Sequence, residues 1–395
     1  MNTPTRRQQL TGAGFVTAGS LVANLAAYFL HLPASRWMGP EGYGELAALL
    51  SAQLIVAVPS LALQAVVARE TVRGVEPSGL RGLAWRTAAV VALVSALLTV
   101  PVATLLNTPV WATVAALTPG ALLCLLAAEQ GLMQGTERFG ALASVLAMVG
   151  LAKVAPALGV ISAGGSVGQA LAAGAVGVAG AWLAARVIAG GARMTASGAR
   201  SNWSATDVRA VLAAGQVQLV LIALTSVDLL LARALLSAED AGRYALGAIA
   251  AKAAFWLPQA VGTVLYPRMA DPLSHRGAVR VAVGVLVGIG AVVVAGAFVL
   301  APLVPLVVGD EYAPVTGLLW AFAALGVTLS VLQALLMSTI AVNRTSDALV
   351  AWGGLVGVVL VVLLVPRELT AFLTATIVVV VLTTVAAGVL VGRHK

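Results

Sequence analysis

Six ionisable side chains fall inside stretches too apolar to hold them cheaply: Glu45, Glu129, Lys153, Asp228, Arg233 and Lys252. A charge within a bilayer is costly, and it is kept where it pairs with a neighbour or faces a polar passage. Glu45 and Arg233 stand near the ends of their stretches, from which a long side chain reaches the interface. Lys153, Asp228 and Lys252 are deeper. Asp228 and Lys252 lie on consecutive stretches, each about 7 to 9 residues from the same end, so an ion pair between them is one reading. The other is a water-filled cavity in which Lys153, Arg233 and Lys252 outnumber Glu129 and Asp228. That cationic bias suits an anionic group such as a phosphate. Asp228 or Glu129 would then be placed to bind and release H+ or Na+ as a coupling step. Gln259, with Gln64, Gln130, Gln134, Gln169, Gln216, Gln218 and Gln333, offers either polar lining for sugar hydroxyls or helix-to-helix hydrogen bonds.

Enzymatic patterns are absent from the sequence. His31, His275 and His394 are scattered, and the single Cys124 excludes an intramolecular disulfide. No Gly-rich phosphate loop, nucleophile elbow or paired-acid metal motif occurs. No enzyme activity, cofactor or metal is therefore expected.

The elements that must position these charges are long apolar helices. Hydrophobic residues make up 60% of the 395 and charged ones 10%, against about 45–50% and about 25% in soluble domains. Twelve apolar stretches follow one another: 11–32, 45–67, 87–106, 110–134, 140–162, 167–189, 211–236, 244–266, 279–308, 315–341, 347–365 and 370–391. Each is near the length that crosses a hydrocarbon core. None alternates like a barrel strand, so the chain is expected to be an all-α polytopic membrane protein of about 12 transmembrane helices. The stretch after Arg6 and Arg7 exceeds a signal-peptide core and reads as a permanent first helix.

Basic residues orient the helices. With both termini cytoplasmic, the inner segments hold 17 of the 23 Lys and Arg, while Arg36, Arg243 and Arg367 fall outside and three more lie within spans. The acids divide evenly, as expected of a rule that counts Lys and Arg. The net charge of +8 is dispersed over helix ends, where it would meet anionic headgroups, and this argues against nucleic acid as a partner.

One short phrase occurs twice, about 198 residues apart. Its first copy is Arg36, Glu41-Gly42-Tyr43-Gly44, Pro59, Arg69; its second is Arg233, Glu239-Asp240-Ala241-Gly242, Pro258, Arg268. A repeat at half the chain length implies two similar halves. We read a six-helix lobe over 1–189, a cytoplasmic linker over 190–210 and a second six-helix lobe over 211–395. An even number of helices per half makes the repeats parallel. Both copies read as outer hairpins, and no loop is long enough for a soluble catalytic domain. Pro59, Pro119, Pro156, Pro258, Pro302 and Pro305 fall within spans as sites of kinks.

The segment Arg36-Trp37-Met38-Gly39-Pro40-Glu41-Gly42-Tyr43-Gly44, entering a helix that ends Ala68-Arg69-Glu70, resembles bacterial polysaccharide biosynthesis proteins of the Wzx flippase type, within the multidrug/oligosaccharidyl-lipid/polysaccharide (MOP) exporter superfamily. Ser226-Val227-Asp228-Leu229-Leu230-Leu231, the run Leu236 to Tyr244, Leu265-Tyr266-Pro267-Arg268-Met269-Ala270 and Gly309-Asp310-Glu311-Tyr312-Ala313-Pro314 resemble its later signatures. The resemblance implies a MATE-like two-lobed bundle working by alternating access in the bacterial plasma membrane. Its implied cargo is a polyprenyl-pyrophosphate-linked oligosaccharide, passed to glycan polymerase or glycosyltransferase machinery. The pyrophosphate would face Lys153, Lys252 and Arg233. A cation-coupled multidrug exporter of the same superfamily is the alternative, and a membrane-embedded glycan enzyme is a third.

Overall fold

The first helix is too long to cross a bilayer straight. In the computed structural model, which describes residues 6–190, 208–209, 211–212, 215–256, 275–341 and 349–393, α1 (Arg6–Val56) holds 51 residues. A straight helix of that length would measure roughly 76 Å, more than twice a hydrocarbon core. The break comes at Gly39, with φ 66° and ψ 178°, a conformation a side chain would strain. Pro40 then opens the second arm, where its missing N–H is no loss. A turn centred on one glycine thus stands where the sequence led us to expect a loop over 33–44.

The chain continues through α2 (Val58–Val72), α3 (Pro77–Leu106), α4 (Val110–Gly135), α5 (Phe139–Ser162) and α6 (Val167–Gly190). Then follow α7 (Gln216–Leu224), α8 (Val227–Leu235), α9 (Ala238–Trp256), α10 (His275–Leu300), the short α11 (Val304–Val308) and α12 (Ala313–Thr316), α13 (Leu319–Ala341), α14 (Leu349–Leu364) and α15 (Leu369–Arg393). No strand occurs among the described residues. Nine of the described helical stretches are long and apolar enough to cross a membrane, and the first of them, Gly14–Val72, holds two of the twelve expected spans. The other two expected spans are α9, which carries Glu239, Asp240, Arg243 and Lys252, and α14, with only 16 residues. This is a multi-pass membrane protein.

Local chemistry explains the joints. Pro59 falls in the first turn of α2, just past a break at Ala57, and Pro302 and Pro305 fall in the short turns after α10. Pro119 and Pro156 sit inside α4 and α5 without ending them. Pro258 lies outside the described residues, as does most of the linker 190–210. The α6 start is a capping box: the Ser166 N–H donates to Gln169 Oε1, and the Gln169 N–H donates to Ser166 Oγ. Gln169 is thus engaged at a helix end.

The chain forms two compact units. Unit 1 comprises 1–37 and 52–216; unit 2 comprises 38–51 and 217–395. The expected lobes differ from these chiefly in residues 38–51, which pack within unit 2 although they precede most of unit 1 in sequence. In unit 1, α4 is central and packs on α2, α3 and α6, while α5 packs on α6. Gly19 of α1 meets the Ala143 backbone of α5, a crossing without room for a Cβ. In unit 2, α13 packs on α9, α10 and α15, and α14 packs on α15 and α8. Large apolar side chains such as Leu93, Leu97, Val292 and Leu382 lie on the outside, which only a lipid surround makes favourable.

Candidate functional site

The polar centre of unit 2 is built around Asp228. Span seven is discontinuous: α7 ends at Leu224 and α8 begins at Val227. Asp228 occupies the first turn of α8, where the dipole of the half-helix favours a carboxylate. Its side chain is buried, and Oδ2 accepts a hydrogen bond from the Tyr244 hydroxyl of α9 at 2.9 Å. Among the described residues Oδ1 and the nearby Ser226 Oγ, both buried, have no side-chain partner, while the backbone N–H groups of Asp228 and Leu229 face the carboxylate. A small cation or a proton could be held by such oxygens, beside a break in the helix at Thr225 and Ser226.

Tyr244 is fixed from several sides. Its ring makes edge contacts with Phe322 of α13, centroids 4.9 Å apart, and with Phe372 of α15, at 5.2 Å. The Thr376 hydroxyl of α15 lies beside the phenol. The hairpin that brings Tyr244 to Asp228 is short. α8 ends at Leu235, and Ser237 Oγ then accepts the Asp240 N–H, capping α9. Arg243 clasps the same end, reaching Glu239, Asp240 Oδ1 and the backbone carbonyl of Glu311.

Lys252, two turns further along α9, does not salt-bridge Asp228. Its ammonium donates to Ser51 Oγ at 3.2 Å, while the two charges act on one another through space. Ser51 belongs to the segment 38–51, so this contact ties that segment to α9. Arg233 of α8 lies within electrostatic range of Glu45. Of the two readings, the direct ion pair between Asp228 and Lys252 does not form: Tyr244 and Ser51 make the contacts instead.

Lys153 and Glu129 belong to unit 1. Glu129 is 1% exposed and fully engaged. Arg81 of α3 grips it bidentately, at 2.9 and 2.8 Å, and Arg186 of α6 adds a bond of 3.1 Å. Lys153 contrasts with it. It lies where α5 crosses α6 so closely that a Cβ on Gly174 would meet its carbonyl at 3.1 Å, and among the described residues no ion pair or hydrogen bond engages its ammonium. Gln64 and Gln134 hydrogen-bond one another at 3.1 Å. Gln259 lies outside the described residues.

The sequence reading did not single out Ser51, Ser226, Thr376, Arg81 or Arg186 as members of this chemistry. Serine and threonine are too common in apolar helices to stand out, and the two arginines read as ordinary inner-end charges. No group of three or more His, Cys, Asp or Glu that could hold a metal ion occurs among the described residues. An open cleft of about 510 Å³ between α10, α13 and α15 is walled by Val279, Val283, Val331, Leu335 and Val385, with Arg280 at its side. It contains none of the site residues.

No protein-family model and no curated protein matches the chain. Solved structures do. An inward-facing multidrug-resistance MATE transporter of the MOP superfamily superposes with a TM-score of 0.67 at 13% identity, covering 94% of this chain and 92% of that one. A eukaryotic MATE transporter gives 0.60 at 14% identity, covering 98% and 96%. A MOP superfamily transporter from Pyrococcus furiosus, described as having a binding pocket of reversed polarity that suggests a different function, gives 0.60 at 12%, covering 99% and 98%. The chain has the fold of the MATE transporters of the MOP superfamily.

Proposed function

We propose that this protein is a transporter that moves a polyprenyl-pyrophosphate-linked oligosaccharide from the inner to the outer leaflet of a bacterial plasma membrane by alternating access. The fold supports the transporter class. The observation that carries the cargo is the balance of deep charge. Glu129 is neutralised twice over, whereas among the described residues Lys153 has no ion-pair partner and Lys252 is met at contact distance by a hydroxyl, with Asp228 acting on it through space. Lys153 and Lys252 are half-buried, and cations held in apolar spans without a contacting carboxylate call for an anionic ligand. A pyrophosphate head fits that need, and the Pyrococcus neighbour is a precedent for altered pocket polarity within one fold.

In this reading Lys153, Lys252 and Arg233 face the pyrophosphate and Gln259 serves sugar hydroxyls. Asp228, whose Oδ1 has no side-chain partner among the described residues, takes the coupling H+ or Na+ beside Ser226. Glu129 is assigned to fastening unit 1, because ion exchange there would have to break three charge-assisted bonds. No bond is made or broken in the cargo.

The second reading, a cation-coupled multidrug exporter, rests on the fold neighbours. A deletion strain separates the two: accumulation of a lipid-linked oligosaccharide, relieved by the wild-type gene but not by Lys153→Ala/Lys252→Ala, supports the flippase. Full surface glycan from that double variant overturns the cargo assignment. Efflux of cationic dyes from proteoliposomes, without lipid-linked intermediates in the strain, favours the exporter.

A further inference from the structure

Two arginines converge on Glu129 where one would neutralise it. Arg81 of α3 and Arg186 of α6 flank the carboxylate, leaving one surplus positive charge at that end of unit 1. One helical turn deeper on each helix stands a tryptophan. Trp85 and Trp182 meet edge to face with centroids 5.9 Å apart. Arg81 with Trp85, and Trp182 with Arg186, are thus two i,i+4 pairs facing one another, with α4 behind both. The arrangement opens outward: the Arg186 side chain is 46% exposed, and Trp85 is exposed too. Further along α3, Leu93 and Leu97 continue as a fully apolar exposed surface.

Each part of this constellation answers a part of a phospholipid. Tryptophan belongs at the boundary between headgroups and hydrocarbon. Arginine presents a fork of donors that matches phosphate oxygens, and Arg186 spends only one nitrogen on Glu129. An apolar stripe below accepts acyl chains. We propose that Arg81, Arg186, Trp85 and Trp182 form a binding site for the phosphate headgroup of an anionic phospholipid of the inner leaflet. Glu129 holds the two guanidiniums in place, so the site is preformed. It shares no residue with the proposed cargo site and does not depend on what the transporter carries.

The test uses the full-length protein in detergent, titrated with phosphatidylglycerol or phosphatidylcholine and read by native mass spectrometry and thermal unfolding. Wild type is expected to bind phosphatidylglycerol in preference to phosphatidylcholine. Arg186→Gln leaves the Arg81–Glu129 pair intact and should fold, and it is expected to lower the preference about five-fold, the share of one basic residue at a membrane surface. Arg186→Lys, which keeps the charge, is expected to retain most of it. An unchanged preference in Arg186→Gln overturns the proposal. So does an equal thermal shift from inorganic phosphate without lipid, since the site would then recognise a free anion.

Discussion

Glu129→Gln should cost more stability than any other single polar replacement in unit 1. The carboxylate is 1% exposed and receives three bonds of 2.8 to 3.1 Å from two guanidiniums. Removing one partner of a buried pair typically costs 3–5 kcal/mol, because the remaining charge is left uncompensated. The amide keeps the shape and one acceptor, which places the loss near the lower bound, about 3 kcal/mol, or roughly two decades in the folded-to-unfolded ratio. Arg81→Gln should follow, since its side chain is 22% exposed, and Arg186→Gln, at 46%, should cost no more than about 1 kcal/mol. The three share one network, so Glu129→Gln/Arg186→Gln should be less destabilised than the sum of its parts. Denaturant unfolding in micelles, followed by the fluorescence of the eight tryptophans, supplies the measurement. A Glu129→Gln protein within 0.5 kcal/mol of wild type, by the usual scatter of surface substitutions, would refute the reasoning. A pH dependence of transport that disappears in a still-folded Glu129→Gln would refute its assignment as a fastener.

Tyr244→Phe keeps the contacts with Phe322 and Phe372 but strips Asp228 of its side-chain partner; a loss of about 1–3 kcal/mol is expected by thermal unfolding. Gly242→Ala would put a methyl group 1.8 Å from the Pro40 carbonyl oxygen, and a cost of about 1–3 kcal/mol is expected from the forced backbone shift. Gly296→Ala, inside α10 with open space around it, is the control in the same unfolding assay and is expected to be unchanged or up to about 1 kcal/mol more stable. Lys252→Met keeps the apolar stem and removes a desolvated charge, so stability should change by less than about 1 kcal/mol while export of an anionic cargo falls. Unimpaired export by Lys252→Met would remove that residue from the cargo site.

How much of this was legible in the sequence depended on separation along the chain. Helix existence was legible, because a span announces itself by the length and hydropathy of its own residues. The discontinuity at Thr225 and Ser226 was not, since nothing in Leu224-Thr225-Ser226-Val227 forbids a helix locally. That Asp228, Lys153 and Lys252 lie within apolar helices was legible, but the partners of Asp228 and Lys252 were not. Tyr244 is 16 residues from Asp228, Arg81 and Arg186 are 48 and 57 from Glu129, and Ser51 is 201 from Lys252. The Asp228–Lys252 pair was one of the two readings that register on adjacent helices allowed. It fails as a contact because register does not reveal which side chain turns toward which neighbour, and a tyrosine and a serine stood nearer.

The duplicated phrase shows the same limit from the other side. Spacing identified it as a repeat and placed both copies in joints between helices, but gave no sign that the copies meet. A Cβ on Gly44 would lie 2.9 Å from the Gly242 backbone nitrogen, and one on Gly242 would strike the Pro40 carbonyl. Gly44 and Gly242 hold equivalent places in the two copies, so the contact brings one position of the phrase against its counterpart. Small residues are required on both sides of such a crossing, which accounts for a glycine in each copy where the neighbouring positions differ. The same crossing explains why residues 38–51 pack in unit 2: the turn at Gly39 and the helix it opens are held by α9 through Gly242 at one point and through Lys252 and Ser51 at another. What looked in the sequence like two separate hairpins is, in unit 2, a single close-packed helix crossing with the polar chemistry of Asp228, Tyr244 and Lys252 built onto one of its partners.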